Sequence, residues 1–146
     1  MPGYSGTPLA KKLGLKPGGI LASIAAPAEF DDWLQPIPGG ALHQAIDLAE
    51  ASAEHSVLHW FGTERKSLQA ALTPLGKAIF PDRSMWISWP KKASKVPTSI
   101  TEDVIRELCL PLGLVDIKVC AVSEVWSGLK LVWRREERRK GIGPRA

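Results

Sequence analysis

Residues 57–90 read VLHWFGTERKSLQAALTPLGKAIFPDRSMWISWP, and the fold turns on how that stretch is parsed. Val57-Leu58-His59-Trp60-Phe61 is apolar and aromatic without polar alternation, the pattern of a strand covered on both faces. Thr63 is placed to cap a helix whose Leu68, Ala71, Leu72 and Leu75 recur at helical spacing, and Pro74 is expected to break or kink it. Ser84 to Trp89 then reads as a second strand, ended by Pro90. Two strands joined by a helix are a parallel pair with a crossover.

Working outward, the same alternation continues on both sides. Downstream, Ser99 with Glu102 forms a capping box for a helix with the apolar stripe Val104, Ile105, Leu108, Cys109 and Leu112, closed by Gly113. Val115 to Val122 and Leu129 to Trp133 form a strand pair joined around Ser127-Gly128. Upstream, Ile20 to Ala26 reads as a buried strand, entered from the turn Lys16-Pro17-Gly18-Gly19. Before it, Thr7 as cap, Pro8 at the first helical position and Gly14 at the stop define a short helix. Glu29 to Leu34 is a short helix, Ala41 to Ile46 a second strand, and an Ala/Glu-rich helical stretch runs on to His55. The expected fold is α/β: a small three-layer Rossmann-like domain, its sheet mainly parallel and finished by a C-terminal antiparallel β-hairpin strand. Residues 1–134 form that single domain, and residues 135–146 a basic tail expected to be disordered.

Composition agrees. The 146 residues are 45% hydrophobic and 23% charged, ordinary globular values that exclude disorder and collagen-like structure. No apolar run approaches the roughly 20 residues that cross a bilayer, and the start lacks a secretory pattern. A cytoplasmic protein without a membrane contact is expected. Nineteen basic residues against fifteen acidic ones leave +4, and Arg134 to Ala146 carries all of it, six basic against two acidic. A basic tail can attract nucleic acid through counterion release, but no aromatic residue is interleaved to stack on bases, so a solvated terminus is the favoured reading.

Little in the chain points to catalysis. Cys109 and Cys120 form no CxxC pair and read as core residues. His43, His55 and His59 lack metal spacing, and mid-strand His59 reads as a core histidine. Ser67, Ser94 and Ser127 have no GxSxG context, and no P-loop occurs. Glu102 and Asp103 suit a first helical turn without any catalytic duty.

From Val57 to Arg134 the order resembles the second half of the class I S-adenosylmethionine methyltransferase fold, and Leu15 to Gly19 resembles that family's entry into its first strand. Three segments are similar to an uncharacterised bacterial family, domain of unknown function 3052: Tyr4-Ser5-Gly6-Thr7-Pro8-Leu9, Trp89-Pro90-Lys91-Lys92 and Trp126-Ser127-Gly128-Leu129-Lys130-Leu131. That resemblance covers residues 3 to about 135 and implies a fold without an activity. The methyltransferases carry a glycine-rich cofactor loop after the first strand, where this chain has Ala25-Ala26-Pro27-Ala28-Glu29. Side chains are expected to fill the space there, Pro27 removes a donor, and no cofactor is expected in the family's usual mode. An acidic residue after the second strand would hold the ribose, and Asp47 stands near that place.

In open α/β sheets ligands bind beyond the carboxyl ends of the strands. Lys91, Lys92, Ser94 and Lys95 leave the top of one strand, and Trp126 and Ser127 are expected on a turn at the same edge. Lysines, hydroxyls and an indole there suit a small anionic ligand or a partner protein, with Tyr4 folding over the edge. Trp126 is the leading contact residue. The favoured reading is a non-catalytic Rossmann-like binding module. The alternatives are a divergent S-adenosylmethionine-dependent methyltransferase-like enzyme and nucleic-acid association through the tail. An exposed edge strand or the hairpin could pair two copies into a homodimer.

Overall fold

The computed structural model describes residues 6–139. In chain order the elements are α1 (Leu9–Lys12), β1 (Ile20–Ile24), α2 (Phe30–Leu34), β2 (Leu42–Ala45), β3 (Val57–Phe61), α3 (Arg65–Ile79), β4 (Ser84–Pro90), α4 (Glu102–Cys109), β5 (Leu114–Ala121), β6 (Trp126–Trp133) and α5 (Arg135–Arg139). The six strands form one sheet in the order β2-β1-β3-β4-β6-β5. β1 to β4 are parallel, and β6 inserts antiparallel between β4 and β5. The fold is therefore the expected α/β Rossmann-like sheet with its closing hairpin.

Helices cover both faces. Leu58, Met85, Ile87, Leu129 and Leu131 of the sheet meet Leu68, Leu72 and Leu75 of α3 and Ile105 of α4. On the opposite face Leu21, Val57, Phe61 and Trp86 meet Leu9, Leu13, Phe30 and Leu34 from the α1–α2 side. All five β3 residues are buried, which is why that strand shows no polar alternation. Two indole N–H groups tie layers together: Trp86 donates to the Leu13 carbonyl and Trp133 to the Gly76 carbonyl, each at 2.9 Å.

Several expected boundaries move. The first helix begins at Leu9, with Pro8 and not Thr7 at the cap. The helical stretch expected to reach His55 is a single 3-10 turn, Leu48–Glu50. The chain must return there from the top of β2 to the bottom of β3 within eleven residues. Extended backbone advances about 3.3 Å per residue against about 1.5 Å in a helix, so only the former has the reach. α3 runs through Pro74 without a break, and Glu64, not Thr63, occupies its cap position. Ser99 does not box with Glu102; its Oγ accepts from the Arg65 N–H at 2.7 Å and so caps α3 from across the chain. Thr101 caps α4 instead, accepting from the Val104 N–H at 3.2 Å. Leu112 is exposed outside the α4 stripe. The hairpin connection is 122–125, and Ser127 and Gly128 belong to β6. Residues 135–139, expected in the disordered tail, form α5. No helix among the described residues is long and apolar enough to cross a membrane.

Candidate functional site

Two loops meet at the carboxyl edge of the sheet. The register pairs Pro90 with Trp126 and Trp89 with Ser127, and the Lys91 N–H donates to the Val125 carbonyl at 2.8 Å. The backbone thus brings together the two segments singled out from sequence, but the sheet separates their side chains. Lys91, Lys92, Lys95 and Ser127 line a groove of about 810 Å³ on the α3–α4 face. Trp126 lies on the α1–α2 face, edge-on to Phe61 at 5.2 Å, beside a hollow of about 410 Å³ shared with Pro27, Glu29 and Trp33. It is half-buried at the start of a strand rather than on a turn. Ser94 donates to the Lys91 carbonyl at 2.7 Å and accepts from the Val96 N–H at 3.2 Å, so its hydroxyl shapes the turn. Tyr4 lies outside the described residues.

Electrostatics in the lysine groove are asymmetric. Arg106 gathers three carboxylates, Glu102 at 3.0 Å, Asp116 at 3.1 Å and Asp103 at 3.4 Å. The hydrogen bond and charge of Asp116, then of Glu102, raise its pKa. Among the described residues, Lys91, Lys92 and Lys95 form no ion pair.

The loop after β1 has the backbone of a glycine loop without its glycines. Ala25 adopts φ 60°, the left-handed region that favours glycine. Ala25, Ala28 and Glu29 are exposed, and Pro27 and Glu29 line the hollow beside Trp126. The Pro27 carbonyl accepts from Phe30, whereas the N–H groups of Ala25, Ala26, Ala28 and Glu29 find no acceptor among the described residues. Asp47, two residues beyond β2, is exposed, and its N–H donates to the Glu50 carboxylate at 2.8 Å.

A second constellation escaped the sequence reading. His43 Nε2 lies 2.8 Å from Ser23 Oγ, and its Nδ1 lies 2.8 Å from Asp31 Oδ1. The order Ser–His–Asp is that of a nucleophilic triad, but Ser23 is 1% exposed within β1, which closes it to a substrate. Its work is to tie β1, β2 and α2. Serine, histidine and acid come from three elements, so only the topology could have joined them. His59 is a core histidine, as expected: fully buried, stacked on Phe61 at 4.3 Å and hydrogen-bonded to Ser88 Oγ at 2.7 Å. Burial, with His43 adding repulsion, pushes its pKa down to about 3. Burial likewise pushes the Cys109 thiol up to about 11 and raises that of Cys120, leaving both protonated and inert near neutrality. Among the described residues no group of three or more His, Cys, Asp or Glu could hold a metal.

The fold has known counterparts. A type 11 methyltransferase from Sulfolobus solfataricus matches at TM-score 0.62 and 11% identity, over 86% of this chain and 89% of that one. A SAM-dependent methyltransferase from Aquifex aeolicus matches at 0.59 and 17%, over 83% and 85%. The magnesium protoporphyrin IX methyltransferase of Synechocystis, with bound SAH, matches at 0.54 and 13%, over 86% and 78%. No family model matches the chain, so the resemblance to the domain of unknown function gains nothing there. No curated protein matches either. At these identities the likeness is one of fold, and the chain has a methyltransferase-like Rossmann fold.

Proposed function

We propose that the chain is a divergent S-adenosylmethionine-dependent methyltransferase-type protein, taking that ligand in the crevice between the carboxyl ends of β1 and β3. This reading replaces the non-catalytic module as the favoured one. From β1 the chain passes to β2 on one side and returns as β3 on the other, and such reversals of winding open the crevice in which doubly wound folds bind ligands. The observation that carries the reading is Ala25, held left-handed where the resembling family has glycine, in a loop where the N–H groups of Ala25, Ala26, Ala28 and Glu29 find no acceptor among the described residues. Those N–H groups suit the ligand's carboxylate, and the exposed Asp47 carboxylate suits its ribose hydroxyls. Bound there, the ligand would supply a methyl group activated on a sulfonium. Pro27 contributes no donor, which leaves a thinner cradle than a glycine-rich loop and accords with modest affinity.

Calorimetric titration of the full chain with S-adenosylmethionine and S-adenosylhomocysteine tests it. Binding is expected, weakened about tenfold in Asp47→Asn. Absence of heat up to about 1 mM ligand removes the reading.

One observation favours a second reading, a non-catalytic module binding a small anion or a partner protein. Lys91, Lys92 and Lys95 line one groove without ion pairs among the described residues, while Arg106 takes up the nearby carboxylates. Phosphate titration followed by tryptophan fluorescence should then respond in the wild type and fade in Lys91→Gln/Lys92→Gln. An equal response in both would remove this role.

A further inference from the structure

Across the α1 side of the sheet, away from the β1 loop, one row of the ladder is electrostatically unfavourable. Lys118 of β5 is directly opposite Lys130 of β6, and Lys130 is directly opposite Trp86 of β4. Residues paired in this way project from the same face, so two lysine side chains rise from neighbouring positions, and like charges so placed destabilise a sheet. Lys130 is half-buried, its Nζ 6.0 Å from the centroid of the buried Trp86 ring. The neighbouring segment adds positive charge. Lys16 lies close enough to Lys130 to act on its titration, and Lys12 and Lys118 both act on the Cys120 thiol. The segment also packs close to Lys130: a Cβ at Gly14 would lie 3.9 Å from its Nζ. Beside the row, Thr7, Lys11, Lys12, Lys118 and Cys120 line a hollow of about 430 Å³. No carboxylate among the described residues comes within ion-pair distance of any of these lysines.

We infer that this face is an anion site for a small phosphoryl-bearing ligand, with Lys118, Lys11, Lys12 and Thr7 lining the hollow and Lys130 and Lys16 adding positive charge beside it. Cross-strand pairing roots Lys118 and Lys130 at neighbouring positions on one face of the sheet, so the positive charge there is set by the fold, unlike that of lysines scattered on a loop. A multiply charged phosphoryl group in the hollow accepts charge-assisted hydrogen bonds from Lys118 and Lys12 and offsets the repulsion between Lys118 and Lys130. The hollow holds a short polyphosphate or the phosphate end of a nucleotide. The site is independent of the crevice at β1 and of the groove at Lys91.

The test is calorimetry of the full chain with inorganic pyrophosphate in about 0.15 M salt, with a magnesium-free nucleoside triphosphate as a second arm. One-site binding is expected, about tenfold weaker in Lys118→Gln and in Lys12→Gln, and unchanged in Lys77→Gln, an exposed lysine of α3. Equal affinity for the two ligands assigns recognition to phosphate alone. Tighter triphosphate binding assigns the rest of the nucleotide to the hollow. Both support the site. No heat up to about 1 mM pyrophosphate, equal affinity in all three variants, loss confined to Lys77→Gln, or binding of duplex DNA without binding of pyrophosphate would each overturn it. Thermal unfolding guards against a folding artefact. Ligand-free Lys118→Gln should melt a few degrees above the wild type, and a given pyrophosphate concentration should raise the wild-type midpoint by more than that of the variant. A lower midpoint for ligand-free Lys118→Gln would contradict the repulsion from which the inference starts.

Discussion

His59 gives up its charge on folding, with a consequence for pH. Its folded pKa of about 3 lies below the model-peptide value of 6.5, so between those values the unfolded chain holds a proton that the folded chain does not. Stability therefore rises with pH through that window and falls as pH drops from 6.5 toward 3. His59→Gln, which keeps a polar partner for Ser88, should flatten the fall; urea titrations at about pH 6 and about pH 4 would show it as a smaller difference than in the wild type. Identical differences would contradict the assignment. Gly113 marks another single-residue constraint. At φ 101° it holds a conformation that L side chains rarely adopt, and an added Cβ would come within 2.7 Å of Glu137 Cγ. Gly113→Ala should cost about 1–2 kcal/mol in urea titrations. That stop was legible, because glycine after an apolar stripe announces it. The left-handed Ala25 was not, because nothing in the word alanine signals a positive φ.

At the scale of elements, caps divide what was legible from what was not. The Ser99-x-x-Glu102 pattern has the spacing of a capping box, yet Ser99 Oγ serves the first N–H of α3 and Thr101 serves α4. Local spacing carries no information about a helix that begins 34 positions away. Ser99→Ala and Thr101→Ala should each cost about 1 kcal/mol. Hydrogen exchange separates them: Ser99→Ala should speed exchange at the start of α3, and Thr101→Ala at the start of α4. Acceleration of α4 by both would restore the local box. β3 and β4 were legible nearly to the residue, since burial on both faces leaves an unbroken apolar run. β2 was harder to place, because at the sheet edge Leu42, Gln44 and Ala45 are exposed and no apolar pattern survives.

For the whole molecule, the alternation of strands and helices was enough to give a parallel sheet with a closing hairpin, since right-handed crossovers leave few other arrangements. The candidate site was only half legible. Sequence order placed Lys91 and Trp126 at one edge, and the hairpin register confirms their backbone proximity, but the pleat sends their side chains to opposite faces. The repelling Lys118–Lys130 pair depends on the register shift between Asp116 and Lys118, which no local pattern encodes. What unites these features is a sheet whose carboxyl edge keeps a glycine-like turn after β1 and an exposed acid after β2. Amide resonances followed during titration with S-adenosylhomocysteine test that union most directly. The account predicts that Ala25, Ala26, Ala28 and Glu29 shift together with Asp47 as the ligand binds. Saturating ligand that leaves those five amides unmoved, or shifts only Lys91 to Lys95 and Ser127, would contradict it.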